Sequence, residues 1–241
     1  MQENNKNLLS FGAILGLSII ISFAIASLTF YNLRSADYIS TTGSAKKAVV
    51  SDSVKWTSSI TRVVKLSTVK EGYTKIDADL KEVKNFFITN GIPETSIDIA
   101  PVYMNEIYDN NNYAEKNYNL VQNITIKSED VQKISNLSKN TSSLITNKGI
   151  LFSTISLEYY YSKLAEARVE LLGDAVADAK ARAEKLSEAG GKRIGALKSA
   201  SSGVVQVMSP NSVDVSDYGM YDTSTIDKQI MVTVKASFNI K

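Results

Sequence analysis

AVADAKARAEKLSEAGGKRIG, residues 175–195, carries a helix directly into a strand. Alanines at 175, 177, 179, 181 and 183 are strong helix formers and allow another backbone to come close. Gly190-Gly191 stops the helix, and Ile194 opens a β-prone stretch near 193–199. Read backwards, the helix begins at about residue 163 and is the longest outside the amino terminus. Leu164, Leu171, Ala175, Ala179 and Leu186 fall on one face, with Arg168 and Arg182 at its edges.

Upstream, the period changes from helical to alternating and back. Residues 53–66 read as a strand, with Val54, Trp56, Ile60, Val64 and Leu66 on one face. Thr68 and Glu71 give the capping pattern T-x-x-E for a helix carrying Tyr73, Ile76, Leu80, Val83 and Phe87. Asn90-Gly91 ends it, and Pro93 prevents its return. Strands are expected at 97–104 and 118–127, with DNNNY at 109–113 as the hairpin loop. Leu120, Ile124 and Ile126 face inward on the second of these. Ser128 then caps a helix with Glu129 and Asp130 in its first turn, and Val131, Ile134, Leu137 and Leu144 inside. A strand at 151–160 places Leu151, Ile155, Leu157 and Tyr159 on one face. The order strand–helix–strand, strand–helix–strand is the ferredoxin-like one, so the fold class is α+β.

Downstream, residues 200–227 show no period and are expected to form a long connection. The chain closes on the clearest alternation of all, 229–240. There Ile230, Val232, Val234, Ala236, Phe238 and Ile240 share a face.

At the amino terminus, no charge occurs from Asn7 to Leu33. The run LLSFGAILGLSIIISFAIASLTFY, residues 8–31, is long enough as a helix to exceed a hydrocarbon core of about 30 Å. An uncleaved anchor in membrane lipid is the first expectation, and Gly12 and Gly16 within it have the spacing of a helix-contact face. The alternative is a secreted protein released after signal cleavage near Ala24 and Ala26. Charges flanking the run do not set its orientation. The expected division is therefore 1–37 for the anchor and its lead and 38–241 for the folded domain, with a subdivision near 160 open.

Composition limits the chemistry. The chain has 241 residues, of which 27 are Lys or Arg and 25 Asp or Glu, so the net charge of +2 implies no nucleic-acid partner. There is no cysteine and no histidine, which excludes disulfides, thiol nucleophiles, imidazole bases and the usual zinc ligands. No cofactor is expected. Asp214, Asp217, Asp222 and Asp227 supply oxygen ligands of the kind calcium takes, but without the order of an EF-hand, and a solvated loop is the plainer reading. Pairs four apart, such as Asp178 and Arg182, suit a solvated helix face. Aromatic residues point elsewhere. Tyr159, Tyr160 and Tyr161 are consecutive, so at least one faces away from a core. Tyr218, Met220 and Tyr221 lie in the unpatterned stretch. Such residues are enriched in interface cores, and Tyr160, Tyr161, Tyr218, Met220 and Tyr221 are the candidate interaction residues.

Residues 175–195 also resemble the signature helix and turn of the SIMPL-domain family. Thr42-Gly43 sits where the family's first strand carries T-G. Val49-Val50-Ser51-Asp52 resembles its V-x-P-D turn, with Ser51 for the proline. Asn90-Gly91-Ile92 with Ile97, and VTVKASF at 232–238, match in the same order. EYYYSK, residues 158–163, departs from the family's more acidic approach to the helix. The family includes bacterial periplasmic or membrane-anchored proteins, among them an outer-membrane-associated immunogenic protein. The resemblance implies an extracytoplasmic domain at the cell membrane, non-enzymatic, self-associating as a homo-oligomer or meeting an envelope protein partner. It implies no catalytic residues. A small-ligand or metal-ion binding module is the alternative.

Overall fold

The computed structural model describes residues 2–34, 37–108, 115–212 and 218–241, with the side chains of the first helix described over 11–31. The segment 109–113, together with Asp214 and Asp217, lies outside these residues.

Helix α1 spans Gln2–Arg34. Within it Phe11–Tyr31 has a mean hydropathy of 2.3 and none of it is buried, so it is long and apolar enough to cross a membrane. The remaining elements are β1 (Tyr38–Val50), β2 (Ser53–Lys65), α2 (Val69–Thr89), β3 (Ile97–Ile99), β4 (Tyr103–Ile107), β5 (Asn117–Ser128), α3 (Val131–Lys139), α4 (Ser142–Thr146), β6 (Leu151–Tyr160), α5 (Leu164–Ala189), β7 (Ile194–Met208), β8 (Met220–Tyr221) and β9 (Asp227–Ile240). They form two compact units. One holds residues 1–45, 172–203 and 233–241, the other 46–171 and 204–232.

In the first unit, α5 lies against β1 and β9. Ala175, Ala179 and Ala183 are fully buried and pack with Val234, Ala236 and Phe238. The close approach has a cause in the sequence. A Cβ on Gly43 would stand 2.2 Å from the Ala175 carbonyl oxygen and 2.3 Å from the Ala179 nitrogen, so only glycine fits. The Thr41 hydroxyl donates to the Ala179 carbonyl at 2.7 Å, and the Ser44 N–H donates to Asp178 at 2.8 Å. Thr41, next to the T-G pair, therefore supplies the strand's hydroxyl bond to the helix. The buried row of α5 steps by four, through Ala167, Leu171, Ala175, Ala179, Ala183 and Ser187. Leu186 is exposed instead, and Leu164 is half-buried. A row of small side chains four apart is the ridge that seats on the sheet, and leucine one place off it turns outward.

The other elements correct the sequence reading in specific places. β7 runs on to Met208, so residues 200–208 are strand rather than loop, and β8 adds a short parallel pairing with Gln206 and Val207. Most side chains of β7 are exposed, which erases any alternation; its backbone pairing with β9 holds it in the sheet order β1-β9-β7-β8.

In the second unit the sheet order is β3-β5-β2-β6, with β4 also on β5, and its pairings are antiparallel. This is the ferredoxin-like order. Trp56, Phe87 and Phe152 meet edge to face in its core, with centroids 5.3–6.1 Å apart. Asp79, buried on α2, accepts a two-pronged bond from Arg62 on β2. Pro101 divides the expected second strand into β3 and β4, because proline cannot donate to the ladder. The helix expected after Ser128 is two helices, with Asn140 as the C-cap of α3. Asp130 caps α3, accepting from the Lys133 N–H, while Ser128 accepts from the Asp130 N–H. Thr68 bonds back to Lys65 rather than capping α2. Tyr73 and Leu66 are exposed. A bulge opposite Thr57/Ser58 leaves Ile155 as the extra residue of β6, so the face changes parity there. Phe152 is consequently buried, and Leu151 and Ile155 are exposed.

Gly43→Ala is expected to destabilise the chain by roughly 3 kcal/mol or more, because the obstructing atoms are backbone. Thermal unfolding of the full chain in detergent, followed by far-ultraviolet circular dichroism, checks this. An unchanged midpoint would refute the packing account.

Candidate interaction site

Lys228 stands in phase with Ile230, Val232 and Val234 on the buried side of β9, and it is 1% exposed. A buried ammonium needs partners that replace water. Its Nζ donates to the carbonyls of Asp222 and Thr225, the latter at 2.7 Å, and lies 5.7 Å from the centre of the Tyr221 ring. Burial pushes its pKa down, and the Asp222 charge opposes that shift.

The Asp222 carboxylate closes the same turn. It accepts from the Ser224 N–H at 2.6 Å, the Ser224 hydroxyl at 2.7 Å and the Thr225 hydroxyl at 2.8 Å. Burial works to raise its pKa, but these bonds and the Lys228 charge hold it below the usual carboxylate range. The Asp222 N–H donates to Val207 at 2.8 Å.

The turn then organises its neighbours. The Thr223 carbonyl accepts from the Tyr159 N–H at 2.8 Å, and the Ile226 carbonyl accepts from the Ser51 N–H at 2.9 Å. The Tyr221 hydroxyl accepts from the Tyr161 N–H at 2.8 Å. Asp52, of the turn between β1 and β2, accepts from the N–H and hydroxyl of Ser162, both at 2.8 Å. Ser51 keeps its hydroxyl buried with no hydrogen-bond partner among the described residues. The Tyr160 and Tyr221 rings lie 5.9 Å apart and tilted by 36°. Tyr160 donates its hydroxyl to Glu158 at 3.1 Å, and Glu158 pairs with Lys55 at 3.1 Å. Burial, then Glu158, raises the Tyr160 pKa.

Of the five expected residues, Tyr160, Tyr161 and Tyr221 thus meet in one aromatic corner of the second unit, and Met220, on β8 beside it, pairs with Gln206. Tyr161 contributes its backbone N–H. Tyr218 is 97% exposed, two residues before Met220. Sequence reasoning missed Lys228, although a lysine in the buried phase of an alternating strand is itself a signal. The expected pair Asp178 and Arg182 meets at 2.9 Å, and Glu170 pairs with Lys47. Asp222 is committed to its own turn, and among the described residues no group of three or more Asp or Glu is arranged to hold a metal. The corner presents aromatic surface on a fixed backbone, and its lysine is closed off from any substrate.

Compared with protein families, residues 39–238 match the one described as SIMPL, protein of unknown function (DUF541). No curated protein matches the chain.

Asp222→Asn should cost about 1 kcal/mol at neutral pH, a figure reduced for partial exposure. The sign follows from the lowered folded pKa. The Asp222 contribution is present above the unfolded value of 3.8 and is lost as pH falls through the folded one. The variant should therefore lose less stability than the parent on acidification below about pH 4. Ser51→Ala should be neutral or stabilising, since it removes an unpartnered buried hydroxyl. Emission from Trp56, the single tryptophan and fully buried in the same unit, reads both during chemical unfolding.

Proposed function

Because the chain belongs to the SIMPL family, we propose that it is a cell-envelope protein held by one membrane-spanning helix. It acts by protein contact without catalysis of its own, first with further copies of itself and then with an envelope partner. The observation that carries this reading is the uncovered segment Phe11–Tyr31. Twenty-one residues that the fold covers nowhere need lipid or another chain around them. The extracytoplasmic placement of the domain rests on the family likeness.

The aromatic corner supports the contact half of the proposal. Tyrosine has only two side-chain torsions to fix, so an interface built on a backbone that is already tied starts from an ordered surface. Tyr218, at 97% exposure, gains most from being covered. A small-ligand module is the second reading, favoured by a cleft between α2 and α4.

Light scattering of the full chain in detergent should give the mass of a closed oligomer at micromolar concentration. Tyr218→Ser should shift that mass towards the monomer. A strict monomer would overturn self-association, and release of the chain from membranes by alkaline carbonate would overturn the anchor.

A further inference from the structure

We propose that the cleft between the end of α2 and α4 binds a neutral saccharide. It lies within the second unit and has a volume of about 320 Å³, at the lower end of the range for small-ligand sites. The inference stands apart from self-association and uses none of the aromatic corner.

The floor is apolar, formed by Phe86 and Leu144. The walls are neutral and polar. Asn85, Thr89 and Ser143 line the cleft, and their side chains make no hydrogen bond among the described residues. Asn90 donates to the Phe86 carbonyl at 2.8 Å, which leaves its amide oxygen for a ligand. Asn147 accepts from the Thr146 hydroxyl at 3.1 Å, which leaves its amide hydrogens. Donors and acceptors therefore stand side by side above a carbon surface.

Charge narrows the ligand. Glu82 and Lys148 also line the cleft and pair with each other at 3.0 Å. Their charges cancel, so an anion such as a phosphate, or a cation, meets no unpaired opposite charge. An acyl chain would strand the amides and hydroxyls of the walls. A sugar ring fits both surfaces. Its C–H face covers the half-buried Phe86, and its hydroxyl and acetamido groups exchange hydrogen bonds with the asparagines, Thr89 and Ser143.

The test uses the full chain in a detergent without a sugar headgroup, with N,N′-diacetylchitobiose as probe. Saturation-transfer NMR should show transfer to the ring C–H protons, and calorimetry should give the affinity. Asn85→Ala and Asn147→Ala change exposed side chains, and unchanged Trp56 emission confirms that each folds. Each should weaken binding about tenfold. Lys148→Gln should leave it within about twofold, because a neutral ligand has no use for the cation. Absence of transfer, or transfer that survives both asparagine substitutions, would overturn the proposal. A large loss on Lys148→Gln would overturn its neutral-ligand basis.

Discussion

The contact between Gly43 and the Ala175–Ala179 turn of α5 sets what the first unit is able to be. Helix and sheet approach so closely there that a single added methyl would meet the helix backbone at both Ala175 and Ala179. A seat this tight requires small residues at every fourth position of the helix, and Ala175, Ala179 and Ala183 supply them. It also brings the Thr41 hydroxyl and the Ser44 N–H within reach of Ala179 and Asp178. Arg182 then fixes Asp178 from the next turn. Gly43 and the alanine row of α5 are two halves of one geometric requirement.

A different constraint rules the second unit's margin. The core of Trp56, Phe87 and Phe152 is closed by shape, but the segment after Met220 has little apolar surface to bury. Hydrogen bonds order it instead. Lys228 takes two carbonyls, Asp222 takes two hydroxyls and an N–H, and the turn passes the Ile226 and Thr223 carbonyls to Ser51 and Tyr159. An ammonium buried among backbone carbonyls tolerates few alternatives, because any other arrangement leaves either the charge or the carbonyls without partners. The aromatic corner therefore sits on a backbone whose polar groups are largely accounted for.

These two designs bear on function differently. The seat of α5 is a packing device, in which Ala175, Ala179 and Ala183 are fully buried against the sheet. The corner and the α2–α4 cleft are where side chains remain at the surface after the fold has used what it needs. One offers aromatic surface suited to another protein, the other neutral hydrogen-bonding groups suited to a small polar ligand.

Much of the architecture was legible in the amino-acid order. Ile230 to Phe238 announce β9, Ile76, Val83 and Phe87 announce α2, and the uncharged run from Asn7 to Leu33 announces α1. These features depend on period and length, which are local properties. The tyrosines of the site were visible as residues but not as neighbours. Tyr160 and Tyr221 are brought to 5.9 Å only where the end of β6 bonds to β8 and the turn after it, through Tyr159 to Thr223 and Tyr161 to Tyr221. The bulge at Ile155, the extension of β7 and the choice of Asp130 over Ser128 as cap were decided by partners rather than by pattern. Sequence by itself determined which segments would be helix or strand and which face most of them would bury, because side-chain period acts within a few residues. Tertiary structure decided the breaks, the turn around Lys228 and the cleft, because each depends on where distant backbone groups find their hydrogen-bond partners.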